Sequence, residues 1–324
     1  MGRGMTADLD QMSFIGRGLS RPECVLATRA GVLCVSDWGG GVTRIAPDGA
    51  QTRILARNIA GLRPNGIALR RDGSFLLAHL GAADGGVYSL SRDGAAAPLL
   101  TELDGRPLPP TNFVLDDHEG RVWITVSTRL QPRHLGYRPD AADGFIVLLD
   151  RRGARLAADR LGYTNEVALH PSGDWLYVNE TFARRLSRFQ LAADGSLSGR
   201  ETVTEFGAGT FPDGLCFDAE GGAWITSIVS NRVIRVAPDG SQEVVLEDSD
   251  PDHLAWVERA YQDGTMARPH LDDVKSRRLR NISSLAFGGP DLRTGYLGCL
   301  LGDSVASLPL PVAGHPPAHW EVAA

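Results

Sequence analysis

Thr164 to Asn179 reads TNEVALHPSGDWLYVN, and it is one of five stretches in the chain that align without a gap. The others are PECVLATRAGVLCVSD from Pro22, PNGIALRRDGSFLLAH from Pro64, TNFVLDDHEGRVWITV from Thr111 and PDGLCFDAEGGAWITS from Pro212. Each has Glu, Asn or Asp second (Glu23, Asn65, Asn112, Asn165, Asp213) and Gly eight residues later (Gly31, Gly73, Gly120, Gly173, Gly221). Glycine at that place, between two apolar runs, marks a tight turn joining two strands. A sixth, divergent copy starts at Ile282 (ISSLAFGGPDLRTGYLG), with Ser283 in the polar position and an irregular turn in place of the glycine.

Working outward from the hairpin, a third strand follows in VTRIA, GVYSL, FIVLLD, RLSRFQL, VIRVA and SVASLPL. A turn comes next, PDG at Pro47, RDG at Arg92, RRG at Arg151, ADG at Ala193 and PDG at Pro238, and then a more variable fourth strand. Four-stranded units of roughly 40 to 50 residues are propeller blades, whereas β-solenoid turns are shorter and lack the four-strand rhythm. The expected fold is therefore all-β, a six-bladed β-propeller occupying residues 1–324 as a single domain, with blades starting near 22, 64, 111, 164, 212 and 282. Either the N-terminal SFIGRG or the C-terminal HWEVA supplies the outer strand of blade six.

Composition bounds the partners. The net charge of -6 argues against a nucleic-acid binder, which needs concentrated Lys and Arg on phosphates. No apolar run approaches the roughly 18 residues of a membrane span, and the start, MGRGMTADLDQM, has no apolar signal-peptide core, so a cytoplasmic protein without a membrane partner is expected. A monomer or small homo-oligomer is expected. Cys24, Cys34, Cys216 and Cys299 sit in apolar stretches without CxxC spacing, as buried free thiols do.

In a propeller the start of each first strand, the loop after each second strand and the blade-to-blade connections share one face. Glu23, Asn65, Asn112, Asn165, Asp213 and Ser283 then form a ring around the axial channel. Taken singly, each fits a turn position equally well. Together they cannot all be incidental, because carboxylates stripped of water need a cation or donors. An all-oxygen set suits a hard divalent cation, Ca2+ before Mn2+, Mg2+ or Zn2+.

At these residues the chain resembles the regucalcin/gluconolactonase-like (senescence marker protein) family of six-bladed propellers. The motifs that carry the resemblance are PECV, NFVLDDHEGRVWITVSTR, YTNEVALHPSGDWLYVNET, FPDGLCFDAEGGAWIT and SSLAFGGPDLRTGYLG, and it spans roughly residues 20–310. The resemblance implies one divalent metal held by Glu23, Asn165 and Asp213, with Asn112 as a fourth ligand or a substrate contact and Asn65 beside the substrate. It also implies a lactonase, with organophosphate hydrolases among the relatives and Asp213 as general base. The sugar-lactone members carry an Arg two residues before the Asn of blade three, where this chain has Pro110.

A metal-bound carboxylate is a weakened base, which makes His79 the substitute, at the channel end of its strand; a structural hydrogen bond is its other reading. Asp37, Asn179 and Ser227 hold the equivalent place in other blades. Two insertions fall on the same face, 128–144 (with Arg129, Arg133, His134, Tyr137 and Arg138) and 250–281, with the helix-compatible HLAWVERAYQDG. They are lids or solvated elaborations. As lids, Arg129 and Arg133 bind substrate and favour a lactone bearing a carboxylate. Three functions fit: a metal-dependent lactonase, a phosphotriesterase using the same cup, or a non-catalytic calcium-binding or interaction propeller.

Overall fold

The computed structural model describes residues 7–324 and contains six four-stranded antiparallel sheets. The innermost strands are Val25–Ala27, Pro64–Leu69, Thr111–Asp116, Thr164–Leu169, Thr210–Phe217 and Ile282–Gly288. Each sheet runs outward in chain order, as in blade four: Thr164–Leu169, Trp175–Glu180, Arg185–Leu191, Leu197–Glu205. The expected all-β six-bladed propeller is the observed one.

Blade six borrows its outer strand from the N-terminus. Ser13–Ile15 pairs antiparallel with Val305–Pro309, Ser13 opposite Ser307 and Ile15 opposite Val305. The C-terminal segment does something else: it crosses the face formed by the first hairpins. There Gly314 bridges Asp218, His315 N–H donates to Phe217 O and Arg29 N–H to Trp320 O. Its last residues reach blades one and two, where Arg44 and Arg92 donate to the carbonyls of Ala324 and Ala323. A short unforeseen hairpin, Glu102–Leu103 with Arg106–Pro107, links blades two and three.

Burial follows strand rank. Phe75–His79, a second strand, is buried throughout, while Gln51–Leu55, an outer strand, exposes its first three residues. Blades pack through apolar side chains, with Trp123 and Trp224 fully enclosed. The two indole N–H groups donate to the buried Asp117 and Asp218, which also receive the N–H groups of their hairpin turns and the Nε of Arg121 and Arg235. The repeat glycines have a common cause: Gly31, Gly73, Gly120, Gly173 and Gly221 all turn through φ between +77° and +86°, a conformation side chains resist.

One irregularity positions the site. In blades two to six the first strand slips register at its polar residue, between Pro64 and Ile67, Thr111 and Phe113, Thr164 and Val167, Pro212 and Leu215, and Ile282 and Ser284. A bulge there adds local twist and re-aims the side chain. The inner strands also approach closely: a Cβ on Gly214 would lie 2.6 Å from Ser284 Cα.

Residues 250–281 form two helices, α1 (Pro251–Gln262) and α2 (Arg268–Asp272). Asp250 caps α1 by accepting from His253 N–H at 2.8 Å, and Pro251 opens it. Val257, Ala260 and Tyr261 pack into a cluster with Phe182, Phe211, Ile228 and Leu300 at the rim. Arg184 holds Glu258 through two bonds of 3.0 and 2.7 Å and stacks 3.7 Å from the Tyr261 ring. Arg184→Ala leaves the partly buried Glu258 carboxylate with only Gly209 N–H and Gln262 as donors and is expected to cost about 1 to 2 kcal/mol. A lower Tm with faster hydrogen exchange confined to 250–281 is the expected result; unchanged exchange would mean that apolar packing alone holds the helices. Among the described residues no helix is long and apolar enough to cross a membrane.

Candidate active site

The axial end of the channel on the lid face is lined by Arg21, Glu23, Asn65, Asn112, Arg133, Tyr137, Tyr163, Asn165, Thr181, Phe182, Asp213, Ile228, Arg268, Leu271 and Leu300. Five of the six ring positions read from the repeat are thus brought together. Ser283 is the exception: its hydroxyl turns away to donate to the main-chain carbonyl of Glu23 at 2.8 Å, as does Ser284 at 2.6 Å.

Hydrogen bonds within and between blades orient Asn65 and Asn165. Asn65 Nδ2 donates to Glu23 Oε1 at 2.6 Å and to Asn112 O at 3.0 Å, so it ties blades one, two and three together. Thr181 accepts from Asn165 Nδ2 at 2.9 Å and donates to Pro212 O at 2.8 Å. With the amide nitrogens used in this way, the oxygens are left over. Glu23 Oε2, Asn65 Oδ1 and Asn165 Oδ1 are sealed from solvent and have no hydrogen-bond partner.

Burial raises the Glu23 carboxyl above the ordinary range, with Arg21, Arg133 and the Asn65 amide pulling back. It raises Asp213 well above that range, and the nearby Glu23 charge adds to the effect. A third buried carboxyl, Glu166, unremarked in the sequence, follows Asn165 in the strand and lies outside the cavity lining. It accepts Leu215 N–H at 2.9 Å and is pushed well up by burial, then by Asp213 and Glu23. A signal for it existed: blades two and five have Gly66 and Gly214 at this repeat position, and blade four has an acid.

Both insertions reach the cavity, through Arg133 and Tyr137 of the first and Arg268 and Leu271 of the second. Arg129 does not line it. It bonds Asp159 at 2.8 Å and the Asp143 carbonyl, with its guanidinium 4.2 Å from the Phe145 ring. Arg138 pairs with Asp140 in solvent. His79 is also outside: Nδ1 accepts Arg63 N–H at 3.0 Å and Nε2 lies 3.3 Å from Asp84 Oδ2. The residues equivalent to His79 serve the frame. Asp37 takes two bonds from Arg53, Asn179 Nδ2 donates to the carbonyls of Asp213 and Gly214, and Ser227 accepts Phe211 N–H.

Arg21 and Tyr163 went unrecognised in the sequence. Both precede a ring residue by two positions, the place held by Pro110 in blade three, and both adopt left-handed backbone, at φ +49° and +68°. Such connections carry no repeat signal, because only the strands and their turns are constrained to recur.

Residues 21–256 match the family described as the SMP-30/Gluconolactonase/LRE-like region. A 6-deoxy-6-sulfogluconolactonase of Pseudomonas putida is 29% identical over 71% of this chain, a stretch that spans 66% of that protein, just under two thirds. A pentonolactonase of Haloferax volcanii is 27% identical over 75% of this chain and 69% of its own length. Among solved structures, a calcium-binding regucalcin from Agrobacterium tumefaciens strain C58 superposes with a TM-score of 0.67 at 18% identity, covering 96% of this chain and 98% of that one. The sixfold repeat, the axial cup and the match over most of the chain agree, and the protein belongs to the SMP-30/gluconolactonase-like family.

Proposed function

We propose that this chain is a divalent-metal-dependent lactonase with its site at the axial cup. The observation that carries the reading is the set of buried oxygens without a hydrogen bond, Asn165 Oδ1, Asn65 Oδ1 and Glu23 Oε2, the last 3.5 Å from Arg21 Nε, beside the Asp213 carboxyl. Buried oxygens without donors are costly, and a cation satisfies them. Among the described residues no group of three or more His, Cys, Asp or Glu is placed to hold a metal. The donors here are two carboxylates completed by carboxamides, a set that fits a hard cation and Ca2+ first. Glu23, Asn165 and Asp213 would hold it, with Asn112 as fourth ligand or substrate contact. When bound, such an ion polarises an ester carbonyl and stabilises charge on its oxygen.

The remaining work falls to the chain. Asn65 holds Glu23 from one side and Thr181 fixes the Asn165 amide, so the donors are set before a ligand arrives. Asp213 is our proposed general base for the attacking water. We do not assign that role to His79, whose ring nitrogens already serve Arg63 and Asp84. The free space between the lining side chains is about 30 Å3, room for a water or two or a bare ion. A lactone ring is larger, so it binds only when the arginines swing aside or the α1–α2 segment lifts.

The two lactonase relatives, a 6-deoxy-6-sulfogluconolactonase and a pentonolactonase, share a lactone ring in their substrates and differ in what it carries. A hydrolysis screen over sugar, aliphatic and aromatic lactones and an organophosphate, with Ca2+, Mn2+, Mg2+ or Zn2+ added, tests the reading. Elemental analysis after mild dialysis is expected to find one divalent ion per chain. Protein that takes up none of the offered metals overturns the site, turnover of the organophosphate alone moves the function to phosphotriester hydrolysis, and tight metal without any turnover leaves a calcium-binding propeller.

A further inference from the structure

Three arginines line the cup, each from a different part of the chain: Arg21 from the connection into blade one, Arg133 from the first insertion and Arg268 from α2. Two of them, Arg21 and Arg133, have no acid within 3 Å although both are buried at the cavity wall. Arg129, Arg138, Arg155, Arg185 and Arg235 each hold an Asp or Glu at 2.9 Å or less. Arg133 makes no ion pair with any described carboxylate, and its Nη1 is sealed from solvent without a hydrogen-bond partner. Arg21 Nε is likewise sealed and unbonded; its nearest acid is Glu23 at 3.5 Å, and its guanidinium rests 4.3 Å from the Trp38 ring. The Tyr163 hydroxyl, also sealed on the cavity wall, faces only the Tyr137 hydroxyl, which itself lies beside Arg133 and Arg268, so no acid serves this group. Arg268 pairs with Asp272 on its own helix, where its side chain keeps 36% exposure.

Buried donors of this strength are costly to leave unpaired. The acids of the cup do not account for them, because Glu23 and Asp213 are the groups assigned to the cation. With that ion in place Arg21 loses its counter-charge and the cup as a whole is positive. Guanidinium forks match oxyanions and discriminate them from hydroxyls by charge as well as geometry.

We propose that Arg21, Arg133 and Arg268, with the Tyr163 hydroxyl, form a seat for an anionic group carried by the lactone, a carboxylate or a sulfonate. The inference rests on the lactonase reading for the ring and on the unpaired donors for its substituent. It moves the anion contact from Arg129, which is engaged elsewhere, to Arg21 and Arg268, and keeps Arg133.

The test uses lactams, which resist opening, identical except for a terminal hydroxymethyl, carboxylate or sulfonate group, titrated calorimetrically into calcium-loaded and metal-free protein. The anionic lactams are expected to bind at least about thirty-fold more tightly than the neutral one. In Arg133→Gln that advantage is expected to fall to about three-fold or less. Arg268→Gln, at a partly exposed position that tolerates the change, is expected to reduce it in the same direction, and Arg138→Gln, which lies outside the cavity, to leave it intact. The carboxylate and sulfonate arms identify which anion the seat takes. Equal binding of neutral and anionic lactams to the wild type, or a full preference retained in both Arg133→Gln and Arg268→Gln, overturns the seat. Turnover of the matching lactones is read separately. Preferential lactam binding without turnover of any lactone upholds the seat and sinks the lactonase reading, whereas turnover without a binding preference does the reverse.

Discussion

Asp213→Ala is expected to lower kcat/KM by about a thousand-fold, the range for loss of a general base, and to weaken divalent-metal binding by more than about a hundred-fold. Loss of an outer partner of a ligand already costs up to about a hundred-fold in affinity. The fold is expected to survive. The joint between blades four and five is made by Asp213 and Gly214 through their carbonyls, which accept from Asn179 Nδ2 at 3.0 Å, and an alanine keeps both. The Asp213 carboxyl itself is buried and pushed well above its ordinary range, so its removal relieves the cost of enclosing a charge in the metal-free protein. A thermal melt of metal-free Asp213→Ala at or above the wild-type Tm, together with lost metal uptake, is the combined signature. A variant that keeps metal and a tenth of the activity would remove Asp213 from both roles. His79→Ala is expected to leave metal binding intact and lower turnover modestly, through the Arg63 and Asp84 contacts it breaks. A chemical step slowed more by His79→Ala than by Asp213→Ala would transfer the base to His79.

The contrast between Asp213 and His79 shows what could be read before any coordinates. The repeat register puts Glu23, Asn65, Asn112, Asn165 and Asp213 at one strand position, and in a closed ring of blades one position means one place; the structure gathers all five. Ser283 has the same register, yet its short side chain bonds the neighbouring Glu23 carbonyl before it reaches the axis. At the ends of second strands the register holds, but side chains such as His79 and Asp37 are taken up by local partners that no spacing reveals. The arginines fail differently. In the first insertion the peptide carries Arg129, Arg133 and Arg138 together, and only packing of the short 3-10 helix Arg133–Gly136 decides which one turns inward. Arg21 and Arg268 lie in connections outside the repeat, so nothing in the pattern marked them. The closing strand of blade six was undetermined for a related reason: SFIGRG and HWEVA are both short and apolar enough, and the choice depended on where the last residues find partners, which proved to be the opposite face.

Glu166→Gln is expected to stabilise the metal-free protein by an amount that grows with pH. Glu166 is enclosed between the inner strands of blades four and five, accepts one N–H from Leu215, and has its carboxyl pushed well up by burial and then by Asp213 and Glu23. Its folded pKa therefore lies above the unfolded value, near 4.5. The protonated carboxyl favours the fold fully below that value. As pH rises the unfolded chain gives up the proton while the native protein holds it, and stability falls by about 1.4 kcal/mol for each pH unit until the native group also ionises. Glutamine keeps the acceptor for Leu215 N–H and removes the proton from the balance. The two proteins should therefore melt together near pH 4.5 and diverge above it, the variant being the more stable. The histidines whose charged forms burial disfavours, His170, His253, His315 and His319, slope the other way in this range, but they are common to both proteins and cancel in the difference. Calcium should narrow the gap, because a cation held by Glu23 and Asp213 offsets the two charges that add to the burial of Glu166. Denaturation at pH 5, 6, 7 and 8, with and without calcium, measures this. Parallel curves for the two proteins would mean that Glu166 is already ionised in the native state, with its charge held between the inner strands by Leu215 N–H.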